Sequence, residues 1–371
     1  MIEKVLILGL ALVGSLARYS SGQLQNQNKM AQAPEKGIVF GASYQAQKRK
    51  WDGPLHRRLL FPWLCTSTAA ENQEQYQELL TTQRKNGVKY VGYYYSSTTS
   101  YSSSSLPTYR QFPELAIPPV FIKPSWILRD DKGQPVRWPG EMERYYLDVG
   151  RVEVQNAILN RAIRNAKRLG PDMLFLDNWY YKYWSPTDMR KEQWTEKCLS
   201  FLLRARELTH QSGLKLIVNT ASPPKHWIEF APHLDGVAYE MGAHPYRLRK
   251  QDRYEEELSS YEKVMAMGKS IFLYTDILKD KGGRWDLDGR KVAATAMLVM
   301  PKSQPDWGGI YVSPPRYEVW PVGGWPMWPE QLGKPLGPRQ WQHNTVSRKF
   351  ERGSISVTVG ENPVFKVAFE Y

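Results

Sequence analysis

Asp172-Met173-Leu174-Phe175-Leu176-Asp177-Asn178-Trp179-Tyr180-Tyr181 places four apolar residues between two carboxylates and then runs into a row of rings. A continuous apolar run, as opposed to an alternating one, marks a strand buried on both faces, which is the condition of parallel strands covered by helices. The arrangement returns sixty-three residues later as Asp235-Gly236-Val237-Ala238-Tyr239-Glu240-Met241-Gly242. Outward from this pair, similar β-prone runs fall at 37–41, 88–95, 117–122, 214–219, 270–275 and 309–313, eight in all.

Helical patterns separate several of these runs. Val154, Ile158, Ala162 and Ala166 form one stripe across 152–168, with Gly170-Pro171 as its stop. Across 188–211, Trp194, Cys198, Leu202, Ala205 and Leu208 form another, ended by Gly213. Eight strands alternating with helices predict an α/β chain folded as a (β/α)8 TIM barrel over 37–332. Past Gly333, β-prone stretches at 354–359 and 364–371, parted by Gly360-Glu361-Asn362-Pro363, predict a small C-terminal antiparallel β appendage over 333–371.

The chain has 371 residues, enough to bury a large core, and a formal net charge of +13. The basic residues are dispersed, with clusters no larger than Lys48-Arg49-Lys50 and Arg247-Leu248-Arg249-Lys250. No nucleic-acid-binding motif accompanies them, so no nucleic-acid partner is expected, while an acidic polysaccharide or an envelope surface suits the charge. Residues 5–17 are apolar and end in Ser15-Leu16-Ala17, and a Gln/Asn/Ser-rich stretch follows to about Lys36. Segment 1–36 therefore reads as a signal peptide or an uncleaved anchor plus linker. The protein is expected to be secreted or in the cell envelope (periplasmic), with membrane attachment only through that segment.

Two cysteines, Cys65 and Cys198, make no disulfide framework or metal cluster, and the six histidines show no paired ligand spacing, so neither metal nor organic cofactor is expected. There is no phosphate-binding glycine loop and no Gly-x-Ser-x-Gly nucleophile elbow.

In such a barrel the strand C-termini carry the chemistry. Asp177 ends the fourth run and Glu240 the sixth. Glycoside hydrolysis needs two carboxyl groups flanking the scissile bond, one to protonate the leaving oxygen and one to attack or to activate water. Asp177 is read as nucleophile or charge stabiliser and Glu240, the longer side chain, as general acid/base, with the reverse assignment open. Tyr93, Asn178, Trp179, Tyr180, Asn219, Tyr239, Asp276, Trp320 and Trp325 are the candidate substrate contacts. The rings offer flat apolar surface to sugar C–H faces, and the amides and hydroxyls offer hydrogen bonds to sugar hydroxyls. The plainer reading of any one of them is a loop anchor, a helix cap or core. Asp172 and Asp235, at strand starts, belong to the stability face.

The segments Tyr146-Leu147-Asp148-Val149, Val152-Glu153-Val154, Phe175-Leu176-Asp177-Asn178, Leu216-Ile217-Val218-Asn219 and Asp235-Gly236-Val237-Ala238-Tyr239-Glu240 resemble the TIM-barrel glycoside hydrolases grouped as hypothetical glycosyl hydrolase family 15. They are also similar to the polygalactosaminidase-type families. The resemblance implies a catalytic Asp on strand four and Glu on strand six, which fall on Asp177 and Glu240, and it implies a polysaccharide or oligosaccharide substrate. The tail from Leu332 through Arg348-Lys349-Phe350-Glu351-Arg352-Gly353 resembles the family's closing R-x-F-x-x-G element, but Ser354-Ile355-Ser356 stands where an Asn-Pro is expected. The alternative is a carbohydrate-binding barrel without catalysis, engaged in exopolysaccharide handling.

Overall fold

The computed structural model describes residues 41–43, 59–62, 69–85, 89–101, 116–138, 141–179, 191–220, 222–239, 245–273, 286–303, 305, 307–312 and 331–370. The N-terminal segment 1–36 lies outside them. No helix among the described residues is long and apolar enough to cross a membrane.

Among the described residues the main sheet has eight strands, all parallel: β1 (Gly41–Ser43), β2 (Leu59–Pro62), β3 (Tyr90–Ser96), β7 (Met173–Trp179), β8 (Lys215–Thr220), β9 (Gly236–Tyr239), β10 (Ser270–Leu273) and β11 (Ile310–Val312), in that order. Between β3 and β7 the chain makes a three-stranded antiparallel insert, β4 (Thr99–Tyr101), β5 (Arg137–Trp138) and β6 (Glu141–Tyr146), ordered β4-β6-β5. The helices are α1 (Ala69–Lys85), α2 (Val152–Leu169), α3 (Lys191–Gln211), the short α4 (Trp227–Phe230) and α5 (Pro245–Leu248), α6 (Gln251–Ala266) and α7 (Asp286–Val299).

The helix stripes read from the sequence are the buried ones. Val154, Ile158, Ala162 and Ala166 of α2 are fully buried, and Gly170 ends that helix in a left-handed conformation (φ 80°). Trp194, Cys198, Leu202 and Ala205 of α3 are likewise buried, while Leu208 is half-buried.

Alternation along the strands gives the sheet two faces. Leu174, Leu176, Tyr93 and Tyr95 turn to the helices, whereas Tyr94 and Phe175 stack on the other face, with ring centroids 5.7 Å apart. The inner face is filled. A Cβ on Gly236 would come within 2.8 Å of the Phe272 ring and 3.3 Å of Ile217, and Phe272 itself stacks on Tyr311 at 5.4 Å.

The sheet is strongly curled. Tyr90, at the start of the third strand, meets Trp307, which leads into the eighth, with centroids 5.1 Å apart. Lys215 of the fifth strand sits over both rings, 4.5 Å from the Trp307 centroid. Five strand spacings of about 4.8 Å would hold these rings about 24 Å apart in a flat sheet. The described residues record no ladder joining β1 to β11.

Two strand expectations are corrected. Residues 117–122 form no strand: Pro118 and Pro119 lack the N–H a ladder requires, and Pro119–Phe121 is a 3-10 turn whose Val120 and Phe121 are exposed. The second sheet position is taken by Leu59–Pro62, which the apolar pattern left unmarked, so the run at 88–95 supplies the third strand. The first strand lies at Gly41–Ser43, and 37–40 are outside the described residues.

The C-terminal residues form an antiparallel sheet, β12 (Gln340–Gln342), β13 (Thr345–Phe350), β14 (Gly353–Thr358) and β15 (Val364–Phe369). It is fastened to the helices by Arg339, which meets Glu255 and Glu262 of α6 at 2.5 Å each, and by Arg348. Arg348 donates to the carbonyls of Met297, Leu298 and Met300 at the end of α7, at 3.1, 3.1 and 2.6 Å. The R-x-F-x-x-G element is thereby structural throughout. Arg348 docks the sheet, Phe350 is buried, and Gly353 (φ 144°) sits where a Cβ would fall 2.0 Å from the Ala368 carbonyl.

Candidate functional site

Asp177 lies near the C-terminal end of β7, half-buried, on the inner face. The strand register is broken there: Leu176 pairs with Val218, yet the next pair is Trp179 with Thr220, so β7 carries one extra residue. This is a β-bulge at Asp177-Asn178, with Asn178 in the left-handed region (φ 62°), a conformation asparagine tolerates better than most residues. The bulge turns Asp177 and Asn178 to the same side and reverses the phase of Trp179.

The Asp177 carboxylate is held from three sides. Tyr94 of β3 donates its hydroxyl to Oδ2. Asn178 donates its side-chain amide to the same oxygen at 3.2 Å. Asn219 of β8 donates to Oδ1 at 2.7 Å. The backbone is pinned as well: the Asp177 carbonyl accepts from Ser97 N at 3.0 Å and Ser97 Oγ at 2.5 Å, and the Asn178 carbonyl accepts from Thr98 Oγ1. Residues 96–100 are buried hydroxyls at the root of the insert.

Of the candidate contacts, Asn178 and Asn219 join Asp177. Three others are in the wall. Tyr93 is fully buried on the helix side, accepting from Asn165 of α2 at 3.1 Å and meeting Tyr76 of α1 edge-on. Trp179 is fully buried, donating to the Cys198 carbonyl of α3 at 3.2 Å and meeting the Phe230 ring at 4.7 Å. Tyr239 is buried against Trp227 of α4, with centroids 5.1 Å apart. The strand phase corrects these three expectations: Tyr93 and Tyr239 sit at outward positions, and the bulge sends Trp179 outward too. Glu240, Tyr180, Asp276, Trp320 and Trp325 lie outside the described residues.

Tyr94 was missed as a site residue. The signal for it is parity, since it pairs with Phe175, two residues before Asp177, and so shares its face. Asp172 and Asp235 do belong to the opposite end. Each accepts a main-chain N–H from the preceding strand (Val91 at 2.9 Å, Leu216 at 2.8 Å) and meets a base from the last turn of a helix (Arg84 at 3.2 Å, His210 at 2.8 Å). Asp148 pairs with Lys197 at 2.5 Å.

Thr99, Tyr101, Trp138, Arg144 and Tyr146 share one face of the insert. The Arg144 guanidinium lies 4.1 Å from the Trp138 ring centroid and 5.7 Å from that of Tyr101. Burial pushes the pKa of the Tyr146 hydroxyl far above the ordinary tyrosine range, so it stays neutral. Among the described residues no group of three or more His, Cys, Asp or Glu side chains is placed to hold a metal ion.

No protein-family model matches the chain, and no curated protein matches it. Solved structures do match. An α-amylase from Malbranchea cinnamomea shares 10% identity over 87% of this chain and 84% of its own, with a TM-score of 0.50. The noncanonic maltogenic α-amylase AmyB from Thermotoga neapolitana shares 11% over 82% of this chain and 77% of its own, with a TM-score of 0.45. Ega3 from Aspergillus fumigatus, solved in complex with galactosamine, shares 14% over 70% of this chain and 90% of its own, with a TM-score of 0.43. At such identities the likeness is one of fold alone, and of these three only the Malbranchea enzyme reaches a TM-score that carries it.

Proposed function

We propose that the protein is a glycoside hydrolase that cleaves a polysaccharide by two-carboxylate chemistry on a closed (β/α)8 barrel. The observation that carries this reading is the Asp177 carboxylate, set near the C-terminal end of a central parallel strand and accepting from Tyr94, Asn178 and Asn219. All three neighbours donate. That pattern suits a group that acts as an anion, attacking the anomeric carbon or stabilising positive charge there. The contact between Tyr90 and Trp307 across the sheet supports closure.

Glu240 is the proposed partner. Asp172 and Asp235 make the same pair of contacts at the starts of β7 and β9, and Asp177 and Glu240 follow them at the same interval. The sixth strand would then offer its carboxyl group as the fourth does, with Glu240 as general acid/base. A separation of about 5–5.5 Å would give retention and one of about 6.5–9.5 Å inversion. The resemblance to hypothetical glycosyl hydrolase family 15 and polygalactosaminidase-type proteins supports the same two positions. The net charge of +13 favours an acidic glycan, and the apolar N-terminal run favours export to the envelope or beyond.

A panel of neutral, amino- and uronic-acid polysaccharides and 4-nitrophenyl glycosides tests the reading. Wild type should release products, and Asp177→Asn and Glu240→Gln should each lose at least about a hundredfold in kcat while still binding. Binding without turnover by the wild type would favour the non-catalytic carbohydrate-binding barrel.

A further inference from the structure

The three-stranded insert is joined to Asp177 by side chains as well as backbone. Arg144 Nε donates to Thr99 Oγ1 at 3.0 Å. Thr99 Oγ1 lies 3.1 Å from Ser96 Oγ, and Ser96 Oγ accepts from the Asn178 amide at 3.3 Å. The same amide donates to Asp177 Oδ2 at 3.2 Å. An unbroken line of hydrogen bonds thus runs from a guanidinium on the insert to the carboxylate on β7. Its outer end is anchored, because Arg144 stacks on Trp138 and Tyr101. Its inner end is the one place on β7 where the backbone is left-handed and carries an extra residue.

Thr99 is the middle of this line and is 1% exposed, so it is out of reach of any substrate. Either hydroxyl of the Thr99–Ser96 pair can be the donor. With Ser96 donating to Thr99, its oxygen offers only lone pairs to Asn178, and that fixes which way the amide points. The amide rotamer decides whether an N–H or the carbonyl oxygen meets Asp177, and the wrong atom would repel a carboxylate.

We infer that Thr99 is a positioning residue for Asp177, through which Arg144 on the insert sets the orientation of the carboxylate. This rests on Asp177 being the catalytic carboxylate proposed above. A purely local role for Thr99 would affect stability alone. A positioning role acts on the reacting geometry, and so on kcat more than on KM.

The test pairs Thr99→Val, which keeps shape and removes the hydroxyl, with Thr99→Ser, which keeps the hydroxyl. On whichever panel substrate wild type turns over best, Thr99→Val should lower kcat about tenfold with KM within about twofold, and Thr99→Ser should stay within about twofold of wild type. Crystal structures should show the Asn178 amide and Asp177 carboxylate turned in Thr99→Val and unmoved in Thr99→Ser. Unchanged side chains in Thr99→Val, or equal kcat losses in both variants, overturn the inference. Retained turnover by Asp177→Asn would sink the glycosidase reading, yet the crystallographic comparison would still decide whether Thr99 orients Asp177.

Discussion

The side-chain amide of Asn219 reaches Asp177 Oδ1 at 2.7 Å from the adjacent strand, while Tyr94 reaches the other carboxylate oxygen from the strand on the opposite side. Asp177 is therefore gripped by the two strands that flank its own, in addition to the Asn178 amide. Asn219→Ala removes one grip and should lower kcat by about ten- to a hundredfold, the range for a hydrogen bond to a charged group. Tyr94→Phe should act in the same direction. Steady-state kinetics check both, and a KM effect without a kcat effect would mean that these residues bind substrate instead of holding Asp177.

Asp172 and Asp235 face the other end of the sheet and should matter for stability alone. Asp235→Ala leaves the buried Leu216 N–H without its acceptor, and Asp172→Ala does the same to Val91. Each should cost about 1–3 kcal/mol in urea unfolding. Asparagine at either position retains an acceptor oxygen and should cost less. Activity per folded molecule should be unchanged.

His233 gives the fold an acid-sensitive point. Burial, with Arg206 and Lys269 nearby, holds its pKa below the ordinary 6.5. The folded state thus binds this proton less readily than the unfolded chain. Its contribution to stability is fully present above about pH 6.5 and is lost as pH falls through the lower folded value. Thermal melts of His233→Gln between pH 7.5 and 5 should decline less steeply than those of wild type. Parallel slopes would show that other groups govern the acid limb.

Arg348 fastens the C-terminal sheet to α7 through carbonyls that would otherwise end the helix unsatisfied. Burial brings its pKa down to about 10, which leaves it charged at neutral pH. Arg348→Met should destabilise by about 1.5–3 kcal/mol, read by chemical denaturation, and should speed proteolysis of the tail.

The parallel α/β architecture was legible because buried strands write themselves as apolar runs, and 173–177 does so plainly. Short rim strands do not: Leu59–Pro62 has too few residues to carry a pattern, and Ile117 to Ile122 has the composition of a strand without the donors. Asp177, Asn178 and Asn219 were legible because a polar residue closing an apolar run has few reasons to be there. The error at Trp179 has one physical cause. A bulge changes strand phase by one residue, and neither its position nor the left-handed Asn178 leaves a mark in composition. Tyr93-Tyr94-Tyr95 posed the same difficulty, since three identical residues hide which one faces inward. The link from Arg144 to Asp177 spans an insert whose pairing no local pattern reveals.

The most direct measurement is the distance between the Asp177 and Glu240 carboxyl groups in a crystal structure of the protein. The account predicts a separation within the span of about 5–9.5 Å that glycosidases use, across an open cleft. Carboxyl groups more than about 12 Å apart, or Glu240 turned outward into the helix layer, would contradict it.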